Sequence, residues 1–359
     1  MNDDGFDMIR KDGETDMADT INMHCPVCDA EQKQNGMLSV ACPNCKFEMA
    51  YVRYFMGQKS KELWNAQVKN KKRLMNIEHL EKIAAKSTLV ITNNLVAQIS
   101  DRNVLTIYYG DERVETIENV KQFSASERNA VILFQDGSIR VTGDNSQGQC
   151  NCQGMDHLAY ALAGPNCVYV VREDGLVAVL GVNIDHAVYD WKNIKSICMG
   201  AYHVLGLTGT GTVMIAGSAL EPNVVEKVSK WKNVKAIAAA TDCSLALFQD
   251  GTVGFAGRDD DPRKEAENWK DIIALKADSA YAVGLNRDGN ILLAGTCKSY
   301  LDMGRSKARE WKDITMIACG KSSIAGISQD GKLYVAGNFS GNLDYVKENW
   351  NSTFEVRSK

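Results

Sequence analysis

Trp231-Lys232-Asn233-Val234 is followed, twenty residues after the tryptophan, by the glycine of Asp250-Gly251, and then by Val253-Gly254-Phe255-Ala256-Gly257. The order recurs three more times. Trp191, Trp269 and Trp311 stand twenty positions before Gly211, Gly289 and Gly331, and a second glycine closes each apolar run six residues later, at Gly217, Gly295 and Gly337. The six-residue glycine step also occurs upstream, Gly137 to Gly143 and Gly175 to Gly181, with Ile117 and Met155 in the places of the missing tryptophans. One period further back, Asp101-Arg102-Asn103 lies between two apolar runs and makes a seventh copy. The turns at Asp101, Asp136, Asp174, Thr210, Asp250, Asp288 and Asp330 are 35 to 42 residues apart, a period that signals an array of stacked units.

Each unit reads as β. Cys243–Phe248, the Asp-Gly turn and Thr252–Ala256 form a hairpin, because Asp-Gly between two apolar runs supplies the positive φ that a tight turn needs. A lone hairpin leaves apolar surface in water, so units stack, radially as a propeller or linearly as a solenoid. After the seventh copy, Trp350-Asn351-Ser352-Thr353-Phe354-Glu355-Val356 opens an eighth unit that is cut off. Such a leftover strand suits a ring, where it completes the first blade and hides an edge. The expectation is an all-β, seven-bladed propeller over residues 86–359. Eleven residues before the turn glycine, Ser126, Gly164, Gly200, Ala240 and Gly320 are small, with Asp278 the exception; a close approach of neighbouring backbones requires this.

Gly200-Ala201-Tyr202-His203-Val204-Leu205-Gly206-Leu207 and Gly143-Asp144-Asn145-Ser146-Gln147-Gly148-Gln149 resemble the Gly-x-x-His and Gly-x-Asn-x-x-Gly-Gln segments of the regulator of chromosome condensation repeat family. The resemblance spans residues 87 to 356 and implies the propeller. It does not select a function, since members of that family include a guanine-nucleotide exchange factor, a β-lactamase inhibitor, a plant ultraviolet photoreceptor and parts of ubiquitin ligases.

Residues 1–20 carry seven carboxylates against Arg10 and Lys11, with little apolar content, and read as a disordered acidic tail. Residues 21–50 hold Cys25-Pro26-Val27-Cys28 and Cys42-Pro43-Asn44-Cys45. Two such knuckles converge four thiolates on a tetrahedron, which suits one structural Zn²⁺ whose binding drives the folding of a segment too small for a core. The segment looks like a zinc ribbon, with Asp29 and Lys46 where glycine usually follows each knuckle. A rubredoxin-like iron site is the chemical alternative. Residues 51–85 form a basic helical linker: from Tyr51 to Lys82, Leu63, Trp64, Val68, Leu74, Met75 and Ile77 recur at helical intervals without proline. Lys69, Lys71, Lys72 and Arg73 make either a nucleic-acid contact or the solvated face of a spacer.

The chain has 359 residues, 45% of them hydrophobic, and a formal net charge of -4. That balance argues against wholesale affinity for nucleic acid or membranes, and no apolar run is long enough to span a bilayer. A cytoplasmic protein is expected. Of the eleven cysteines, Cys198, Cys243 and Cys319 lie inside apolar strands and read as small core residues, while Cys150 and Cys152 sit on a loop as inert thiols. The five histidines are dispersed, His203 is read as a structural histidine and the tryptophans as inter-blade packing, and no nucleophile–base grouping or phosphate loop is visible. The functional expectation is therefore a non-enzymatic scaffold whose propeller face, with variable loops such as Arg258–Lys264, binds a protein partner, the ribbon serving as a second docking module. The alternatives are a nucleic-acid-associated adaptor using the ribbon and the basic helix, and, less favoured, an exchange factor for a small GTPase.

Overall fold

A computed structural model describes residues 20–35, 40–49, 58–86, 88–218, 222–295 and 302–350. The chain divides after His79 into two units. The larger contains seven antiparallel sheets, one of four strands and six of three. Blade 4 is typical, with strands Ile194–Met199, His203–Thr208 and Val213–Gly217 in meander order. The expected hairpin is its second and third strands. The strand in front begins three residues after the tryptophan, a stretch the repeat pattern left unassigned.

First strands pack on one another around a closed circuit: Leu89–Ile91, Val120–Ala125, Leu158–Ala163, Ile194–Met199, Val234–Ala239, Ile272–Ala277, Ile314–Cys319 and back to Leu89–Ile91. The array is thus a ring of seven blades. Its two ends differ. One carries the loops between first and second strands, and the other carries the turns between second and third.

At the turn end each blade is latched to the next by the two halves of the repeat motif. The residue two after the tryptophan position is left-handed in every copy from blade 2 onward: Asn119, His157, Asn193, Asn233, Asp271 and Asp313 have φ between 53° and 60°. Asn and Asp tolerate that conformation best among non-glycine residues, which explains their recurrence. It frees the following N–H to donate to the turn of the preceding blade, as Ile194 does to the Gly175 carbonyl (3.0 Å), Val234 to Gly211 (2.9 Å) and Ile272 to Gly251 (3.0 Å). Val120, Leu158 and Ile314 do the same on Asn103, Gly137 and Gly289. In the first copy the left-handed turn residue is Asn103, two beyond Asp101.

The tryptophans pack between blades as expected. Trp191 shares a buried cluster with Tyr169, Val171 and Val177 of blade 3 and Ile197 and Val204 of blade 4. Beneath each ring the middle strand is trimmed. A Cβ on Gly206 would lie 2.7 Å from Trp191 Cε3, one on Gly284 2.8 Å from Trp269, and one on Gly326 3.1 Å from Trp311. Blade 5 has Ala246 at this position under Trp231. Where the tryptophan is missing, Ile117 and Met155 share clusters with the larger Ile132 and Val170 at that position. Volume is conserved across the pair, as close packing demands.

The small residue before the second strand is explained at the loop end, where a Cβ on Gly200 would overlap the Ala240 carbonyl of the next blade. Asp278 breaks the rule because it is an ion-pair partner. Its buried carboxylate accepts from the N–H groups of Ala280 and Tyr281 and from Arg305 Nη1 at 2.7 Å. Burial raises this carboxyl above the ordinary carboxylate range, and the Arg305 guanidinium offsets that only in part. Arg263, in the segment expected to be an exposed variable loop, is buried instead. It lies in the first turn of the 3-10 helix Pro262–Asn268, donates its N–H to the capping Asp261 carboxylate, and its guanidinium pairs with Asp261 and Asp242.

The seventh junction joins the ends of the propeller. Gly331 makes no latch bond among the described residues, because residues 83–86, which stand where the Trp-Lys-Asn step would be, are helical. The linker from Asn338 to Trp350 takes over. Ser340 N–H donates to the Asn93 carbonyl, Asn342 N–H to that of Gly110 (2.8 Å), and Trp350 packs on Tyr108 of blade 1 at 5.1 Å between ring centroids. Above it, Glu127 accepts from Asn93 (2.7 Å) and pairs with Lys321 (3.4 Å). The leftover strand after Trp350, and the acidic tail before Thr20, lie outside the described residues.

Candidate metal centre

In the smaller unit Cys25-Pro-Val-Cys28 and Cys42-Pro-Asn-Cys45 form two turns of the same shape. Asp29 N–H donates to the Cys25 carbonyl and Lys46 N–H to the Cys42 carbonyl, both at 2.8 Å. Asp29 and Lys46 each have φ of 59°. They adopt the left-handed conformation that glycine usually supplies here, so the substitution that marked these positions in the sequence leaves the knuckle intact. The N–H groups of Val27 and Cys28 point at Cys25 Sγ, and those of Asn44 and Cys45 at Cys42 Sγ.

All four sulfurs lie within 4.8 Å of one another. Cys25 Sγ is 3.5 Å from Cys45 Sγ, and Cys28 Sγ is 3.6 Å from Cys42 Sγ. A tetrahedral Zn²⁺ with bonds of about 2.3 Å sets sulfur–sulfur edges of about 3.8 Å, so the donor set fits a tetrahedral ion. Electrostatics agree with this fit. Burial raises Cys42, but the donated N–H groups outweigh it and bring the thiol down to about 7. Burial pushes Cys45 up to about 12. Four crowded thiols share too much negative charge to ionise together unless a cation sits among them.

Phe47, Val68 and Met75 pack against the knuckles. Val68, Lys71 and Met75 therefore form the ribbon-facing stripe of α1 (Gln58–Lys86), and the basic cluster is split. Lys69 and Lys72 are exposed and Lys71 is half-buried. The side chains of Arg73, Trp64 and Ile77 lie outside the described residues, as do residues 50–57 at the expected start of the helix. Leu74 is 48% exposed, off the stripe it was expected to join. His24 is exposed and faces Asp29 at 3.5 Å, apart from the sulfurs.

Elsewhere, Asp242, Cys243 and Asp261 are close enough to hold a metal, but Arg263 Nη2 already bonds both carboxylates. Sequence inspection missed this pair and its counterpart Arg305–Asp278; the one signal was Asp278 in a place reserved for small residues. Cys243 is buried, as expected, and its thiol is pushed up to about 12. Cys198 and Cys319 are half-buried on first strands, with thiols also raised by burial. His203 is a structural histidine: 2% exposed, its Nε2 3.0 Å from Ser244 Oγ, and lowered by burial to about 4. No helix among the described residues is long and apolar enough to cross a membrane.

No protein-family model and no curated protein matches this sequence. Solved structures do match by shape. The CRINKLY WD40 ectodomain of the Arabidopsis thaliana receptor kinase ACR4 aligns at a TM-score of 0.58 and 15% identity, over 70% of this chain and 96% of that one. The ectodomain of the Physcomitrella patens receptor kinase CR4 aligns at 0.51 and 14%, over 70% and 72%. Prp20p of Saccharomyces cerevisiae, described with its binding to Gsp1p and histones, aligns at 0.47 and 14%, over 72% and 84%. The larger unit of this chain is a seven-bladed β-propeller, the fold that its repeat period predicts.

Proposed function

We propose that this chain is a non-enzymatic interaction scaffold in which the loop end of the propeller binds a protein partner and the N-terminal ribbon, residues 21–50, is a second docking module held by one structural Zn²⁺ on Cys25, Cys28, Cys42 and Cys45. The observation that carries the first half is where large apolar side chains stand in water. Tyr202 (59% exposed) lies on the blade 4 loop, Val182 follows the last strand of blade 3, and Met303 sits beside Asp302, which accepts from Tyr281 at the start of a middle strand. Aromatic and Met side chains at the loop end of a rigid disc suit the apolar anchors of a protein interface.

The zinc half rests on the sulfur tetrahedron and the two matched knuckles. With four protein ligands no position is open for water or substrate, so the ion would hold the ribbon together without reacting. Native capture with the full chain tests the scaffold: wild type retains a stoichiometric protein partner, and the Tyr202→Ser, Val182→Ser, Met303→Ser variant loses it. Capture unaffected by these changes would refute the loop-end assignment. Elemental analysis of purified chain should give one zinc per chain; iron in its place, or no metal after folding in zinc, overturns the metal reading.

A further inference from the structure

On the first strand of each blade, alternate residues turn their N–H and C=O groups away from the second strand and into the lumen of the ring. Blades 2 and 3 show what these groups need. Gln122 of blade 2 accepts from the Ala161 N–H (3.0 Å) and donates to the Ala161 carbonyl (2.8 Å), and Ser124 Oγ accepts from the Ala163 N–H (3.1 Å). Two side chains of one blade thus satisfy the inner edge of the next.

Blades 6 and 7 repeat the backbone and change the side chains. Gly320 N–H donates to the Ser323 carbonyl, and the register continues through Ala318↔Ala325 and Met316↔Ile327. That pairing turns the N–H groups of Ile317 and Cys319 into the lumen, in the places of Ala161 and Ala163. Neither has a hydrogen-bond partner among the described residues. In the places of Gln122 and Ser124 stand Ala274 and Lys276. An alanine side chain has no acceptor and an ammonium has only donors, so blade 6 cannot do for blade 7 what blade 2 does for blade 3.

The same exchange supplies space and charge. Ala274, Lys276 and Ala277 are half-buried although they stand on an innermost strand, so solvent reaches them from within the ring. No carboxylate stands on any of the seven first strands. Burial lowers the Lys276 amine, and the groups that act on its charge are the thiols of Cys319 and Cys198, which burial holds protonated. Asp278, just beyond the strand, is taken by Arg305. An anion beside Lys276 would favour the charged form that burial disfavours. Two N–H groups and one ammonium suit the two oxygens of a carboxylate, which is planar and the size of the Gln122 amide. An alanine wall suits a short apolar body behind it. Phosphate brings further charge and acceptors that this wall has no donors to meet.

We propose that the lumen between blades 6 and 7 binds a small monocarboxylate, whose oxygens accept from the Ile317 and Cys319 N–H groups and from Lys276. The ligand does for blade 7 what the Gln122 amide and Ser124 hydroxyl do for blade 3. An ammonium has three donors, so Lys276 can hold a carboxylate alongside the interactions it already has. The site depends neither on the loop-end surface nor on the ribbon.

Isothermal titration calorimetry of the full chain with sodium butanoate tests it, with butanamide and inorganic phosphate as comparisons. Butanoate should bind saturably, and the other two more weakly. Ala274→Gln installs the side chain that blade 2 carries at this place; its amide should take the Ile317 N–H and abolish butanoate binding without lowering Tm. Lys276→Met keeps the length and removes the charge, and should weaken binding about tenfold or more. A readout on the unaltered chain stands beside the variants: butanoate, and not butanamide, should slow acetylation of Lys276 by acetic anhydride, followed by peptide mass spectrometry. No saturable binding up to about 50 mM butanoate, equal binding of butanamide, or tighter binding of phosphate overturns the proposal. So does butanoate affinity unchanged in either variant, or acetylation of Lys276 that butanoate leaves unslowed.

Discussion

Blade 5 is held to blade 4 by a short step of chain, Trp231 to Val234, seated on the turn of its predecessor. Blade 1 is held to blade 7 by the linker from Asn338 to Trp350, laid across loops from the opposite end of the sequence. The first arrangement occurs six times and uses residues that belong to the repeat itself. The second occurs once, because the chain enters blade 1 from a helix, and helical residues 83–86 cannot offer the left-handed bend and free N–H that a latch requires. Apolar packing is common to both: Trp350 lies in a cluster with Val346, Ile327 and Tyr108 much as Trp311 lies among blades 6 and 7. What differs is the polar closure, and hence what can be removed without opening the ring.

The largest expected effect comes from emptying a latched junction. Trp269→Ala leaves a cavity over Gly284 and should cost about 3–5 kcal/mol in urea unfolding. A loss below about 1 kcal/mol would mean that latches, not rings, hold the blades. Next is the seam. Gly341 has φ of 109°, and a Cβ there would overlap the Gly110 carbonyl, so Gly341→Ala should cost about 3 kcal/mol. Hydrogen exchange sharpens the contrast: amides of Leu95–Ile99 should lose protection while those of blades 4 to 6 keep theirs. Equal loss everywhere would show that seam and latches open together.

Acid should act on one latched junction through a histidine. His203 of blade 4 reaches Ser244 of blade 5 and is held neutral, at about 4 against an ordinary 6.5. Its folded value is depressed, so the unfolded chain takes up the proton first, and the stabilisation present above about 6.5 is lost as pH falls toward 4. The loss is at most about 3 kcal/mol. In His203→Gln the stability difference between pH 7 and pH 4.5 should shrink; an unchanged profile rules the histidine out. The smallest effect is at the left-handed residue, where Asn233→Ala should cost about 1 kcal/mol and Asn233→Gly close to nothing. Equal costs would show that the Asn side chain, not its φ, is what matters.

Legibility followed the range of the interaction. The turns, the blade count and the two Cys-x-x-Cys knuckles were readable because each depends on a few adjacent residues. The latch escaped because its bond joins residues 23 positions apart, Gly211 to Val234, in different blades. Arg263 and Arg305 escaped for another reason. A charged residue in a hydrophilic stretch reads as solvated, and only the distant Asp242 and Asp278 show otherwise.

The latches also give the fold a direction in time. Each blade carries the turn on which its successor will sit, so a nascent chain leaving the ribosome can add modules one by one, each finding its seat already formed. Blade 1 alone must wait for its closing tryptophan, and until Trp350 emerges the growing disc presents two unjoined flanks to solvent or to a chaperone.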